Sequence, residues 1–242
     1  MTFAERVINF NRTLRYTGGA LPAGIAVLNP FEAGLAADIS ETFYRKFYSD
    51  RQPRSLILGI NPGRFGAGLT GIPFTDPKRL VQDCGIPYSG KMTHEPSSVF
   101  IYEMIQAFGG PDAFYRSFYI NSLFPLGFVK IDSAGREKNY NYYDDRELTT
   151  LVTPYIIENI RKQIGIGTYT NVCICFGTGK NEAYLRKLNA QYGFFKEIIG
   201  LEHPRFIMQY KSSNKAFYME KYLQALNDAI ASNQPSGHAL RK

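Results

Sequence analysis

Apolar residues return at helical spacing in some stretches of the chain and cluster at strand-like density in others. Phe3, Val7, Ile8 and Leu14 fall along one side of an opening helix over residues 3–15. Leu35, Ile39, Phe43 and Phe47 recur every four positions and predict a helix over 31–49. Ser97 or Ser98 is placed to cap a helix that Gly109-Gly110-Pro111 stops after Phe108. Thr153-Pro154 reads as a cap and first-turn proline for a helix to Ile164, with Asp144 or Asp145 opening a helical turn before it. Further helices are predicted from Lys180 to Asn189 and from Ser213 to Ala231. Short apolar runs lie between them: Leu56-Ile57-Leu58, Phe118 to Asn121, Val172 to Phe176 and Ile198 to Leu201. Runs of this length bounded by turn residues read as buried strands. Ile25 to Leu28 is a further short extended piece, ended by Asn29-Pro30. Strands alternating with helices predict a three-layer α/β/α fold around a short, mainly parallel sheet. No repeat or linker divides the chain, so residues 1–232 are expected to form one domain and 233–242 a flexible tail.

Residues 59–74, Gly-Ile-Asn-Pro-Gly-Arg-Phe-Gly-Ala-Gly-Leu-Thr-Gly-Ile-Pro-Phe, follow the first buried run and read as a loop too rich in Gly and Pro for helix or strand. A Gly-rich loop leaving a parallel strand is where α/β folds bind ligands, and glycines let the backbone approach them closely. Asn61 belongs at that strand end, and Phe74 closes the loop with a flat apolar face. Asn121 and His203 follow two other predicted strands. In a parallel sheet all three would meet at one edge. The ordinary alternatives are a turn residue for Asn121, a surface or core histidine for His203 and a core ring for Phe74. Arg205, Lys211, Lys215 and Lys221 read most simply as a solvated face. The segment Asn139-Tyr140-Asn141-Tyr142-Tyr143 has the rings to stack on bases but reads more simply as a surface loop or short hairpin. Gly177-Thr178-Gly179-Lys180 is a tight turn into a helix: a phosphate-binding P-loop would need a Gly where Ile174 stands and Ser or Thr where Asn181 stands.

Composition narrows the function. A formal charge of +7 favours nucleic acid as a partner. Cys84, Cys173 and Cys175 are too few for a four-cysteine cluster, and His94, His203 and His238 show no ligand spacing, so neither metal nor cofactor is expected. Cys173 and Cys175, two apart, share one face of their strand as core residues. No apolar run approaches the roughly 20 residues of a membrane helix, and residues 1–6 lack the pattern of a signal peptide. An intracellular, monomeric protein is expected.

The ordered set Gly59-Ile60-Asn61-Pro62-Gly63, Phe65-Gly66 and Thr70-Gly71-Ile72-Pro73-Phe74 resembles the first motif of the single-strand-selective monofunctional uracil-DNA glycosylase (SMUG) family. Leu21-Pro22, Ile25 and Asn29-Pro30 resemble its lead-in, and Phe118-Tyr119-Ile120-Asn121 with Pro125-Leu126 its uracil-reading segment. Phe176-Gly177 opening a helix is similar to its next strand and turn, and His203-Pro204 with Arg205 looks like its second catalytic motif. The likeness runs from residue 20 to 230 and implies a uracil-DNA glycosylase fold and removal of uracil, or 5-substituted uracils, from single-stranded or accessible DNA in base excision repair. It implies that Asn61 positions the attacking water and that His203 hydrogen-bonds uracil O2. Asn121 would read O4 and N3, Phe74 would stack on the flipped base, and the backbone at Ile60 and Gly63 would shape the pocket near C5. Arg205 would belong to the wedge that fills the gap left by the base. Apart from the resemblance, the basic residues Arg64, Lys211 and Lys215 are expected to contact DNA. No lysine holds a motif position, so strand cleavage is not expected.

Three departures from the family pattern stand out. The second motif lacks the Ser-Pro of His-Pro-Ser-Pro-Arg, one extra residue separates Asn121 from Pro125, and Arg64 replaces a proline. The departure in the second motif motivates one rival reading, a silent DNA- or uracil-binding module on the same fold. A second, a mismatch-specific thymine/uracil glycosylase, rests on Gly59-Ile60-Asn61-Pro62-Gly63, which also resembles that related group, while His203-Pro204 argues against it.

Overall fold

The computed structural model describes residues 1–32 and 34–233. In chain order its elements are α1 (Phe3–Thr13), β1 (Ile25–Leu28), α2 (Leu35–Phe47), β2 (Arg54–Gly59), α3 (Ala67–Thr70), α4 (Pro77–Gln82), α5 (Pro96–Phe108), α6 (Pro111–Ser117), β3 (Phe118–Ser122), β4 (Gly127–Ile131), β5 (Glu137–Tyr140), α7 (Arg146–Gly165), β6 (Thr168–Phe176), α8 (Lys180–Tyr192), β7 (Glu197–Leu201), α9 (Pro204–Tyr210) and, after a 3-10 turn, α10 (Lys215–Asn233). Asn233, expected to open the flexible tail, instead closes α10 and is buried; the rest of the expected tail, residues 234–242 with His238 among them, lies outside the described residues. None of the described helices is long and apolar enough to cross a membrane.

The four apolar runs pair in the order β3-β2-β6-β7, parallel throughout. Every residue of β2 and β3 is buried. That follows from a parallel sheet covered by helices, which leaves a strand no solvent face and favours an uninterrupted apolar run over an alternating one. Among the covering helices, α7, α8 and α10 pack on β6, and α5 packs on α10. The layered α/β fold expected from the pattern is the one found. Cys173 and Cys175 lie fully buried in β6, and burial pushes the thiols up, that of Cys175 to about 12.

A second sheet is antiparallel, in the order β1-β4-β5. Of its strands the hydrophobic pattern predicts β1 alone. β5 is Glu137-Lys138-Asn139-Tyr140, polar and solvent-facing, and its place depends on a tight turn in which Asp132 Oδ1 accepts from the amides of Ala134 and Arg136 at 2.9 and 3.0 Å.

The helices depart from expectation in three places. First, α7 starts at Arg146, not at Pro154, because Asp145 caps it by accepting from Leu148 N at 3.0 Å. Pro154 then sits inside the helix, where a lost amide bond costs about 3 kcal/mol. Burial of Val152, Tyr155, Ile156 and Ile160 against the core offsets it. Second, the Gly-rich loop contains one helical turn, α3, and two other short helices, α4 and α6, open on Pro77 and Pro111, whose fixed φ suits a first turn. Third, α9 follows His203 directly, so the second motif is a helix start.

Candidate active site

Because the sheet is parallel, the carboxyl ends of β2, β3 and β7 open onto one edge. A cavity of about 680 Å³ lies there, within the roughly 300–1,000 Å³ range of small-ligand clefts. Ile60, Asn61, Gly63, Phe74, His203 and Arg205 all line it.

Asn61 leaves the end of β2 with its amide held from across the cleft. Its Nδ2 donates to Tyr140 O at 3.1 Å, and Tyr142 N donates to its Oδ1 at 3.2 Å. The end of β5 and the segment after it thus clamp the loop that leaves β2, and a second lone pair of Oδ1 remains as an acceptor. Phe74 is the one described non-glycine residue with positive φ, at 54°. For an aromatic residue that conformation costs on the order of 1–3 kcal/mol and tends to persist where function over-determines it. The ring lies over the end of β2: a Cβ on Gly59 would come within 3.1 Å of it. Its other neighbours are the rings of Phe176 and His203, with centroids at 5.5 and 5.6 Å.

His203 caps α9, its Nδ1 accepting from Arg205 N at 3.2 Å. An accepting Nδ1 carries no proton, so the ring proton belongs on Nε2. Burial, and then the charge of Arg205, lower the pKa of His203 to about 4, so the ring is neutral at pH 7. The turn before it is held by α10: the Tyr222 hydroxyl donates to Glu202 O, and Lys221 pairs with the Glu202 carboxylate at 2.9 Å.

Glu95, just before α5, is the one carboxylate among the described residues of the cavity lining. A Cβ on Gly66 would lie 2.4 Å from its Oε2, so the glycine at 66 makes room for this side chain. Burial and then the charge of Asp76 raise its pKa.

Asn121 departs from expectation. It does not line the cavity; the next residue, Ser122, does. Asn121 points elsewhere in the core, with Nδ2 on Tyr119 Oη at 2.7 Å and Oδ1 accepting from Ser122 N at 2.8 Å. Successive strand residues face opposite ways, so one extra residue before Pro125 moves the side chain at the cavity from Asn121 to Ser122. Of the basic residues expected on DNA, Arg205 and Lys211 are exposed. Arg64 is turned onto β5, pairing with Glu137 at 3.4 Å and lying over the Phe65 ring. Lys215 is paired with Glu103 at 2.8 Å.

A family model described as the uracil DNA glycosylase superfamily matches residues 45–227. The chain belongs to the uracil DNA glycosylase superfamily. The expected likeness to the SMUG family is borne out by the crystal structure of wild-type Pedobacter heparinus SMUG2. That structure is 61% identical, covers 96% of this chain and 100% of that one, and superposes with a TM-score of 0.93. The curated protein sequences contain no match.

In this member of the superfamily the cavity also takes in Asn139, Asn141, Tyr143, Phe206 and Tyr210, which the motif positions do not include. Asn139 Oδ1 accepts from Arg64 N at 3.0 Å. The signal for Ser122 was in the spacing to Pro125. For Asn139 and Asn141 the signal was a segment dense in Asn and Tyr, without pattern enough to assign it to a site.

Proposed function

We propose that this chain is a monofunctional DNA glycosylase that hydrolyses the N-glycosidic bond of uracil, and of 5-substituted uracils, in single-stranded or accessible DNA. The observation that carries the reading is a neutral His203 with its ring proton on Nε2, lining the same cavity as Asn61 and Phe74.

A base inside a duplex is out of reach and must be turned out, at a cost of a few kcal/mol that a single strand largely avoids. Phe74 takes the turned-out base on its face. As the bond from C1′ to uracil N1 breaks, its electron pair leaves with the base and negative charge builds on the ring. The Nε2–H of His203 donates to O2 there, as an oxyanion donor. A water that donates to the free lone pair of Asn61 Oδ1 adds to C1′ and loses a proton to solvent, and the departing uracil anion takes one up from solvent. An amide is a weak base, so bond breaking runs ahead of water attack. Among the described residues no lysine lines the cavity, which supports base removal without strand cleavage.

Ser122 takes the place proposed for Asn121 at the base edge. A hydroxyl both donates and accepts, so by itself it separates uracil from cytosine poorly. The amides of Asn139 and Asn141 carry that choice. Every group named comes from one chain, so the acting species is taken to be a single domain, residues 1–232, working as a monomer on intracellular DNA.

Free base released from uracil-containing oligonucleotides, single- and double-stranded, is the test. Release that Asn61→Ala and His203→Ala slow by orders of magnitude supports the proposal. Binding without release identifies a silent module, and release confined to G·U or G·T duplexes identifies a mismatch enzyme.

A further inference from the structure

Large aromatic side chains exposed to solvent are unusual enough to need a reason when they gather at a cavity mouth. The exposed aromatic residues in the described chain are Phe65, Tyr192, Phe206, Tyr210 and Phe217. Phe65, Phe206 and Tyr210 line the cavity that holds Asn61 and His203. Phe206 and Tyr210 stand one helical turn apart on α9, with ring centroids 5.6 Å apart and planes inclined at 45°. They keep 41% and 65% of their surface exposed, so their contact with each other leaves most of both rings open.

We infer that Phe206 and Tyr210 form a ledge on which a nucleobase neighbouring the target stacks when the substrate is a single strand. This rests on the proposed function and adds to it the surface that selects the substrate. Three observations favour a nucleic acid strand as the occupant. The ledge borders the cavity proposed for the flipped base, so a base attached to the same backbone reaches it. The charges beside it are positive: Arg205 and Lys211 adjoin the two rings along the chain and are exposed, whereas Lys215 and Lys221 are tied to Glu103 and Glu202. The faces are flat and aromatic, which suits any base and needs no sequence. A single strand fits better than a duplex, because a base within a duplex already stacks on its neighbours and pairs with its partner.

The test compares wild type with Phe206→Ala, Tyr210→Ala and Phe206→Trp, with Phe217→Ala as an exposed aromatic away from the cavity. Binding is read by fluorescence anisotropy and turnover by base release. The substrates are single-stranded oligonucleotides with one uracil, whose flanking positions carry either natural bases or tetrahydrofuran abasic spacers. Base–aromatic stacking is worth about 1–3 kcal/mol, so each alanine variant should weaken binding to the natural strand roughly 5- to 150-fold. The loss should vanish on strands with abasic flanks, Phe206→Trp should bind as wild type does, and Phe217→Ala should have no effect. Unchanged binding by both alanine variants, or a loss that persists on abasic flanks, overturns the ledge. Absence of wild-type turnover on every strand would overturn the proposed function instead, and the binding comparison would still decide the ledge.

Discussion

His203 is held neutral by burial and by the like charge of Arg205, and the sign of its titration is opposite to that of an ion-paired histidine. Unfolded, it titrates near the ordinary 6.5; folded, at about 4. Between those values the unfolded chain binds more protons. The stability this group contributes is therefore complete above 6.5 and is lost as pH falls toward 4. A histidine NMR titration should find the His203 midpoint near 4, and a midpoint at the ordinary value would remove the basis for a neutral donor. A second prediction separates Asn121 from Ser122. Asn121→Ala should leave base release near wild type and lower the melting temperature, since it strips a partner from the buried Tyr119 hydroxyl, worth about 1–3 kcal/mol. Ser122→Ala should lower kcat/KM with little change in melting temperature; the reverse pattern would return the base edge to Asn121. At this scale Asn61, Phe74 and His203 were legible because each sits at a strand end or beside a glycine-rich loop. Ser122 was hidden by its neighbour, an asparagine of more suggestive chemistry, although the spacing to Pro125 already told against that neighbour. Glu95 was hidden because nothing in sequence marks a lone carboxylate as facing a cavity.

Loops and helix starts do at the element scale what strands do for the core. The Gly63-to-Gly66 stretch of the β2 loop wraps the Glu95 carboxylate, and a methyl group at 66 would fall 2.4 Å from it. Gly66→Ala should therefore displace Glu95 or the loop and reduce base release well beyond any loss in melting temperature; equal activity would show that the loop tolerates the shift. The elements best read from sequence are the strands of the parallel sheet and α1, α2, α5, α8 and α10, whose apolar residues face the core. Three others resist that reading for separate reasons. β5 is polar on both faces because it is an edge strand, so period-two patterning is absent. α7 keeps a proline in its interior because tertiary burial outweighs a local penalty. α9 is too short, and too rich in exposed aromatic residues, to show an amphipathic period.

Charge and cavity act together across the whole molecule. The formal charge of +7 means that binding to a strand should weaken linearly on a log–log plot as salt rises. Glu95 opposes that field inside the cavity. Its raised pKa means the folded state binds more protons than the unfolded state just above the ordinary carboxylate range, so stability is lost as pH rises through the folded value. Glu95→Gln should raise the melting temperature at pH 7, and the gain should disappear below about pH 4, where the unfolded carboxylate is also protonated. A drop at pH 7 would mean that the carboxylate holds the loop more than it strains the fold. The most direct check on a neutral histidine easing the departure of an anionic base is the single-turnover rate of uracil release from a single strand, for wild type and for His203→Ala. Losing one such donor should slow release by roughly 10²–10³-fold with binding little changed. Release by the wild type that His203→Ala leaves equally fast would contradict the proposed chemistry outright.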